Sequence, residues 1–293
     1  MKKIAIQGIE GSNHHIVANK YYKENITLNK CLSFDILADS LLSNTSDEAV
    51  MAIENTIAGS IIPNYALIDK YNLHITGEYY LPIHHHLMCL PNQSIKDIKE
   101  VCSHPMALLQ CKDFFKKHPL IKLVEDVDTS AVARTIAEQK ITGVAAIAPK
   151  MAAEIFNLEV IEDEIQTIKN NETRFVILQT QQPKNNINNI NKASLKFELD
   201  HKRGSLATVL NVMSDCKLNL TKIQSLPKIE TPWKYAFFVD VTFEAYEDYA
   251  KAKAILQIMA NDLKILGEYK NGRLWYNLLT VYKLYKSTTF LLN

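Results

Sequence analysis

The sequence predicts an α/β fold in which a smaller ferredoxin-like βαββαβ domain follows a larger α/β module. Short apolar runs alternate with helical stretches at the spacing of βαβ units up to about residue 180, a rhythm typical of a mostly parallel sheet with helices on both faces. Residues 181–193 are rich in Gln, Asn and Lys, which indicates a linker. After the linker the predicted elements change to the order βαββαβ.

Two strands of the larger module end at polar residues, and in open α/β sheets ligands lie at such strand ends. Residues 3–7 predict a buried strand that leads into a glycine-containing turn with Ser12. Residues 49–53 predict an apolar strand that ends on Glu54, Asn55 and Thr56. The other strands predicted in this module cover 74–80, 83–90, 99–102, 120–124 and 143–147, and the helices cover 14–22, 34–42, 61–70, 106–117, 131–139 and 150–156.

Local signals mark the helix starts and the second domain. Pro105 suits the first turn of a helix, and Asp128 with its two neighbours suits a helix N-terminus. Two predictions stay open for residues 272–293: an amphipathic helix, for which the segment is apolar enough, and a poorly ordered tail. In the second domain the predicted strands cover 194–199, 218–226, 235–243 and 265–269, and the helices cover 205–215 and 249–263.

Three consecutive histidines, His84, His85 and His86, lie in the predicted strand 83–90. Neighbouring residues of a strand point to opposite faces, so the three side chains cannot share one face. A metal site is therefore the less favoured interpretation, because no further spaced His, Cys or Asp set completes it. A plain connection between two lobes is the favoured one.

The chain has the composition of an ordinary globular protein, and its 293 residues are enough for about two domains. A formal net charge of +1 gives no reason to expect a nucleic-acid partner. The five cysteines are scattered without a CxxC pair, which disfavours a disulfide framework and a metal cluster. No long apolar window predicts a membrane span or a signal peptide, so we expect a cytoplasmic protein that does not bind membranes.

The stretch from Asn171 to Phe175 places a hydroxyl and a guanidinium where a polar loop enters an apolar strand. Such a junction holds loop side chains rigidly. In a regular strand Thr173 and Phe175 share one face and Arg174 points to the other. Either the strand starts after Arg174, or Arg174 acts from behind the site. From residues alone, Thr173 could instead bond to backbone, Arg174 could pair with an acid, and Phe175 could pack in the core.

Several motifs in one order resemble the prephenate dehydratase family over roughly residues 1–270. They are Glu54-Asn55-Thr56 with Gly59-Ser60, Leu81-Pro82-Ile83 with His85, Ser103-His104-Pro105 with Ala107-Leu108 and Gln110-Cys111, Thr129-Ser130-Ala131, and Asn171-Glu172-Thr173-Arg174-Phe175. The second domain resembles the family's ACT domain through Gly204-Ser205-Leu206-Ala207 and Asn219-Leu220-Thr221-Lys222-Ile223.

The resemblance implies a two-lobed catalytic domain, like a type 2 periplasmic binding protein, with the site between the lobes. It implies a catalytic domain at 1–180 with its second lobe at roughly 82–168, a linker at 181–193, an ACT regulatory domain at 194–271 and a tail at 272–293. The implied activity is the decarboxylating dehydration of prephenate to phenylpyruvate in L-phenylalanine biosynthesis, without a metal or organic cofactor. Arogenate dehydratase and a non-catalytic amino-acid-binding regulator are the alternatives.

The resemblance also implies roles for residues in the cleft. Thr173 is the expected catalytic residue, as a hydrogen-bond donor to the departing ring hydroxyl. Arg174 is expected to bind a substrate carboxylate directly or nearly so, and Phe175 is expected to keep the pocket dry. The remaining expected substrate-binding residues are Asn171, Asn55, Thr56, Ser12, Ser103, His104, Thr129 and Ser130.

The chain departs from the family pattern at three places. Asn13 replaces an aromatic residue, Met106 stands where Gln is common, and Gln224-Ser225-Leu226-Pro227 replaces Glu-Ser-Arg-Pro. The last motif helps to bind the phenylalanine effector, so its two lost charges predict a weakened or altered response. We expect a homodimer or homotetramer. The expected effector-binding residues are Gly204, Ser205, Leu206, Ala207, Asn219, Gln224 and Ser225.

Overall fold

The computed structural model describes residues 1–23, 25–182, 187–200, 202–227 and 235–273. The predicted tail therefore lies outside the described residues, apart from Gly272 and Arg273. Two compact units divide the chain. The first contains Met1–Ile61 and Leu81–Phe175, and the second contains Ile62–Tyr80 and the residues from Val176 onward. The segment 62–80 thus clusters with the C-terminal part of the chain, and the boundaries of the functional domains stay predictions.

The elements follow one another in regular alternation through most of the chain. The strands are β1 (Lys2–Gln7), β2 (Ile26–Cys31), β3 (Glu48–Asn55), β4 (Gly59–Ser60), β5 (His74–Pro82), β6 (His86–Cys89), β7 (Glu100–Ser103), β8 (Lys122–Glu125), β9 (Val144–Ala148), β10 (Glu159–Glu162), β11 (Glu172–Gln179), β12 (Lys192–Glu198), β13 (Asn219–Pro227), β14 (Tyr235–Thr242) and β15 (Asn261–Tyr269). The helices are α1 (Asn13–Tyr22), α2 (Phe34–Leu42), α3 (Ile62–Lys70), α4 (Pro105–Gln110), α5 (Lys112–Phe115), α6 (Thr129–Gln139), α7 (Lys150–Phe156), α8 (Ser205–Asp215) and α9 (Tyr246–Met259).

The first lobe of the first unit is a parallel sheet in the order β2-β1-β3, with the start of β11 next to β3. Its central strands are apolar on both faces, since Ile4, Ala5 and Ile6 and nearly all of β3 are buried. This is the pattern of a strand covered on both sides by helices. The polar residues that follow β1 and β3 therefore emerge at one edge of the sheet.

The second lobe is a five-stranded sheet in the order β10-β6-β9-β7-β8. Strand β7 is parallel to β8 and β9, whereas β6 is antiparallel to β9 and β10. Alternate residues of its strands feed two separate cores: Ala145 and Ile147 pack with α4, and Ala146 and Ala148 pack with α6 and α7. Helices thus cover both faces, and the predicted two-lobed α/β architecture is confirmed.

The second unit contains an antiparallel sheet in the order β13-β14-β12-β15, with α8 and α9 packed on one face. This order and the element sequence confirm the predicted ferredoxin-like βαββαβ fold. The segment α3–β5 also contacts this domain. Tyr65 lies edge-on to Phe238 at 5.4 Å, and Lys192 forms a buried ion pair with Glu78 at 2.9 Å.

Some element boundaries differ from those predicted. Strands β2 and β10 were not predicted, because each mixes polar with apolar residues at the margin of its sheet. The predicted helix 106–117 breaks at Cys111. Strand β5 continues through Pro82, and β15 begins at Asn261 because its first residue already pairs with Glu198 of β12. None of the helices in the described ranges is long and apolar enough to cross a lipid bilayer.

Candidate active site

A cavity of about 440 Å³ lies within the first unit, and both lobes and the start of β11 contribute to its wall. This volume lies in the range of small-molecule sites, roughly 300–1,000 Å³. The polar residues after β1 and β3 reach it from one lobe, and the turns before α4 and α6 reach it from the other. Six of the predicted site residues line the cavity: Ser12, Asn55, His104, Thr129, Thr173 and Phe175.

Asn55, at the end of β3, holds the Thr173 hydroxyl. Its amide nitrogen Nδ2 donates to Thr173 Oγ1 at 2.9 Å. Its amide oxygen Oδ1 accepts from the backbone N–H groups of Ile57 and Ala58, both at 2.9 Å. These two donors fix which way the amide faces, because only its oxygen can accept from N–H groups.

The direction of this bond decides what Thr173 can do. A hydroxyl has one hydrogen to donate and two lone pairs to accept. Asn55 occupies a lone pair of Thr173 Oγ1, and within the described ranges no other hydrogen bond to this oxygen is formed. The hydroxyl hydrogen is therefore left for a group in the cavity, which Thr173 lines.

A chain of side-chain amides extends from Asn55 into the second lobe. Asn55 Nδ2 also donates to Asn171 Oδ1 at 2.7 Å, and Asn171 Nδ2 donates to Gln110 Oε1 at 3.0 Å. His85 Nε2 lies 2.7 Å from the same Gln110 oxygen. Burial lowers the pKa of His85, so the imidazole is neutral at neutral pH and its Nε2 carries the donated hydrogen. The chain thus ties the start of β11 to the end of α4.

Backbone contacts hold the same strand ends together. Thr56 N donates to the Glu172 carbonyl at 2.9 Å, and Glu172 N donates to Thr56 Oγ1 at 3.0 Å. Ile83 N donates to the Asn171 carbonyl at 2.8 Å. Thr56 and Asn171 thus bond to neighbouring strand ends, and neither lines the cavity.

Phe175 and His14 form the apolar side of the cavity. The Phe175 ring is 1% exposed and meets the His14 ring edge-on at a centroid distance of 5.0 Å. His14 Nε2 accepts the backbone N–H of Ala52 at 3.3 Å. Burial lowers the pKa of His14 to about 3, so this imidazole is uncharged at neutral pH, and because Nε2 accepts, its hydrogen lies on Nδ1.

Three other predicted residues are buried away from the cavity wall. Ser103 donates its hydroxyl to the Ile147 carbonyl at 2.7 Å, and Ser130 is fully buried at the start of α6. Arg174 is 4% exposed and is not among the lining residues. Because Thr173 and Phe175 on either side of it do line the cavity, the alternation of the strand favours the indirect role for Arg174.

The sequence did not assign roles to several residues that the fold brings to the cavity. His14 and Gln110 line it, although one was predicted only as part of a helix and the other only as part of a motif. Asp128 also lines it, and its Oδ1 accepts the N–H of Ala131 at 2.8 Å as the N-cap of α6. A carboxylate cap that follows a strand end was the available signal for Asp128.

The predicted effector-binding residues lie in the second unit. Gly204 precedes α8 with φ +85°, a conformation that favours glycine, and Ser205, Leu206 and Ala207 form the first turn of the helix. The others, Asn219, Gln224 and Ser225, lie on the edge strand β13. Gln224 Nε2 donates to the Ser225 carbonyl at 3.0 Å, and Leu226 is 9% exposed.

The matching family model and the most similar curated relatives indicate one family. The family model described as Prephenate dehydratase matches residues 4–183. "Arogenate dehydratase/prephenate dehydratase 2, chloroplastic" of Arabidopsis thaliana is 34% identical over 277 residues, which cover 91% of this chain and 72% of the relative. The crystal structure of prephenate dehydratase from Staphylococcus aureus subsp. aureus Mu50 is 26% identical with a TM-score of 0.79, covering 92% of this chain and 100% of that one.

A further solved structure shares the fold. It is a prephenate dehydratase from Arthrobacter aurescens in complex with L-Phe, with a TM-score of 0.82 and 23% identity, covering 92% of this chain and 90% of that one. At this identity the likeness concerns the fold alone.

The buried His14 predicts a dependence of stability on pH. An unfolded histidine gains a proton below about pH 6.5, whereas folded His14 stays neutral down to about pH 3. The unfolded state thus binds more protons between these two pH values. The free energy of unfolding therefore decreases as the pH is lowered, by up to about 1.4 kcal/mol for each pH unit. His14→Gln keeps an acceptor for Ala52 N–H and does not titrate.

Urea unfolding of both proteins between pH 6 and pH 4 measures this effect. We expect the native protein to lose stability faster than His14→Gln as the pH falls, while the carboxylates common to both proteins cancel in the difference. Parallel stability curves would show that the His14 pKa is not lowered in the folded state.

Proposed function

This chain belongs to the prephenate dehydratase family, and we propose that it converts prephenate to phenylpyruvate by decarboxylating dehydration. The observation that carries the proposal is the Thr173 hydroxyl. It lines the cavity, and its oxygen already accepts a hydrogen bond from Asn55. The reaction requires a donor at the oxygen that leaves the substrate ring, and Thr173 is the residue that supplies it.

The chemistry needs orientation more than a strong acid. The carbon–carbon bond to the ring carboxylate breaks and releases carbon dioxide. Its electron pair enters the ring, which becomes aromatic, and the bond to the ring hydroxyl breaks so that hydroxide leaves. A threonine hydroxyl is too weak an acid to be a free proton source near neutral pH, but its hydrogen bond stabilises the charge that develops on the leaving oxygen. One such donor in a dry site contributes roughly 3 kcal/mol.

The polarisation of the Thr173 hydroxyl supports this role. A hydroxyl that accepts one hydrogen bond becomes a better donor of the next, because hydrogen bonds in a chain strengthen one another. Asn55 Nδ2 is that upstream donor, and the chain Asn171–Gln110 holds Asn55 in turn. The proposed donor is therefore aligned before the substrate binds, so no reorientation of the hydroxyl is needed during the reaction.

The apolar side of the cavity favours the loss of carbon dioxide. Phe175 and the uncharged His14 offer no hydrogen bond to a carboxylate from their ring faces. A localised carboxylate is less stable in such surroundings than a charge spread over the breaking bonds. We assign Ser12, His104 and Thr129 to the polar side of the cavity, as donors that hold the substrate without neutralising it.

We further propose that the second unit contains an ACT regulatory domain. Its ferredoxin-like topology and the glycine turn before α8 support this assignment, and the Arthrobacter aurescens relative was solved in complex with L-Phe. A homodimer or homotetramer is proposed with it, because β13 is an edge strand on which Ile223 is 41% exposed. The Arabidopsis relative is named chloroplastic, and a cytoplasmic location stays a prediction for this chain.

Thr173→Val removes the hydroxyl and keeps the side-chain shape. We expect kcat for phenylpyruvate formation to fall about a hundredfold while KM stays within a few-fold, because the lost donor acts mainly in the transition state. Phenylpyruvate absorbance after incubation with prephenate measures it. Thr135→Val is the matched control, since Thr135 bonds only within α6 and does not line the cavity. No turnover by the native protein above the acid-catalysed background would refute the function itself.

Phenylalanine is expected to inhibit this chain weakly. The edge strand β13 offers the neutral Gln224 and the buried Leu226 where the family has two charged residues. An amino acid needs charged partners for its ammonium and carboxylate groups, so we expect binding weaker than in relatives that keep both charges. Calorimetry with L-phenylalanine and an activity titration over one concentration range test this. Tight binding together with inhibition in that range would contradict it.

A further inference from the structure

The charge of the cavity wall does not match that of prephenate. Among the described residues that line the cavity there is no Lys or Arg, Asp128 is the one carboxylate, and the side chains that can become cationic are the imidazoles of His14, His85 and His104. Burial keeps His14 and His85 neutral by lowering the pKa of each. Prephenate carries two carboxylates and no cationic group, so it would meet a like charge at Asp128.

Asp128 is placed where its charge acts on the cavity. Its Oδ1 caps α6 through the N–H of Ala131 at 2.8 Å. Its Oδ2 lies toward the end of β1 in the other lobe, because a Cβ built on Gly8 would stand 2.7 Å from it. The carboxylate thus lies where the two lobes approach each other within the first unit. Burial raises the pKa of Asp128, and the hydrogen bonds from the α6 backbone oppose that rise.

A carboxylate at this position also changes which ligand charge the N-terminus of α6 favours. The free N–H groups and the dipole of a helix N-terminus attract anions. Here Asp128 accepts the N–H group of Ala131 and places a carboxyl group at this terminus. The turn before α6 therefore favours a cationic group over a second carboxylate.

We propose that Asp128 binds the ammonium group of a 2-amino-acid substrate, so that the cavity favours arogenate over prephenate. The inference rests on the decarboxylating dehydration of the proposed function and concerns which of two substrates the cavity favours. Both compounds have the ring carboxylate and the ring hydroxyl, and they differ in one substituent of the side chain. Where prephenate has a keto group, arogenate has an ammonium group. That ammonium pairs with Asp128 and offsets the repulsion between Asp128 and the side-chain carboxylate.

A purely structural role for Asp128 makes a different prediction. Asn and Ser cap helices about as well as Asp, so the cap alone does not require a charge. A structural cap would leave the choice between the two substrates unchanged when the charge is removed. Asp128→Asn and Asp128→Ser therefore separate the two roles while both keep the N-terminus of α6.

The test compares kcat/KM on arogenate and on prephenate, with thermal unfolding as a check that each variant folds. For the native protein we expect the higher kcat/KM on arogenate. In Asp128→Asn and Asp128→Ser we expect kcat/KM on arogenate to fall at least about tenfold, mainly through KM, because a partly buried charge loses its partner. We expect kcat/KM on prephenate to rise by a few-fold, since a repelling charge is gone.

Asp126→Asn is the matched control, because it removes the same charge two residues away at an exposed position that does not line the cavity. We expect it to leave the ratio of the two kcat/KM values unchanged. A native preference for prephenate, or an equal change on both substrates in the Asp128 variants, would overturn the inference and leave the proposed function standing. A native protein that turns over neither substrate would overturn both.

Discussion

The hydrogen bonds of the Asn55 amide are the constraint on which the candidate site depends. Its oxygen accepts two backbone N–H groups, so its nitrogen faces Thr173 and Asn171. Thr173 Oγ1 consequently accepts, and its hydrogen is directed to the cavity. Had the amide faced the other way, Thr173 would donate to Asn55 and would have nothing left to donate to a leaving hydroxyl. The catalytic role that we propose for Thr173 thus depends on a neighbour that does not itself react.

The fold brings together chain segments that are far apart in the sequence. The contacts of Asn55 join residues 116 to 118 positions apart, and the amide chain continues through Gln110 to His85. Because every member of the chain is hydrogen-bonded, removal of one leaves buried partners unsatisfied, at about 1–3 kcal/mol each. Phe175 and the neutral His14 shield one side of the cavity from water, and this strengthens the same hydrogen bonds.

Local patterns in the sequence predicted the parts of this arrangement that depend on near neighbours. The alternation of a strand placed Thr173 and Phe175 on one face and Arg174 on the other, and the order of elements predicted both domains. His14, Gln110 and Asp128 could not be assigned in this way. Each reaches the cavity from one end of a helix, the start of α1 or α6 or the end of α4. Only the packing of that helix on its sheet decides where the side chain points. Strands β2 and β10 were missed because edge strands carry a weak apolar pattern.

A double-mutant cycle between Asn55 and Thr173 tests the central claim most directly. Asn55→Asp keeps an oxygen for the N–H groups of Ile57 and Ala58 but replaces the donor to Thr173 by an acceptor, which would take the hydroxyl hydrogen away from the cavity. If both changes remove the same donor, the kcat of the double variant Asn55→Asp, Thr173→Val is no lower than the kcat of the less active single variant. Independent effects, in which the two losses in kcat multiply, would contradict the claim that Asn55 acts through the Thr173 hydroxyl.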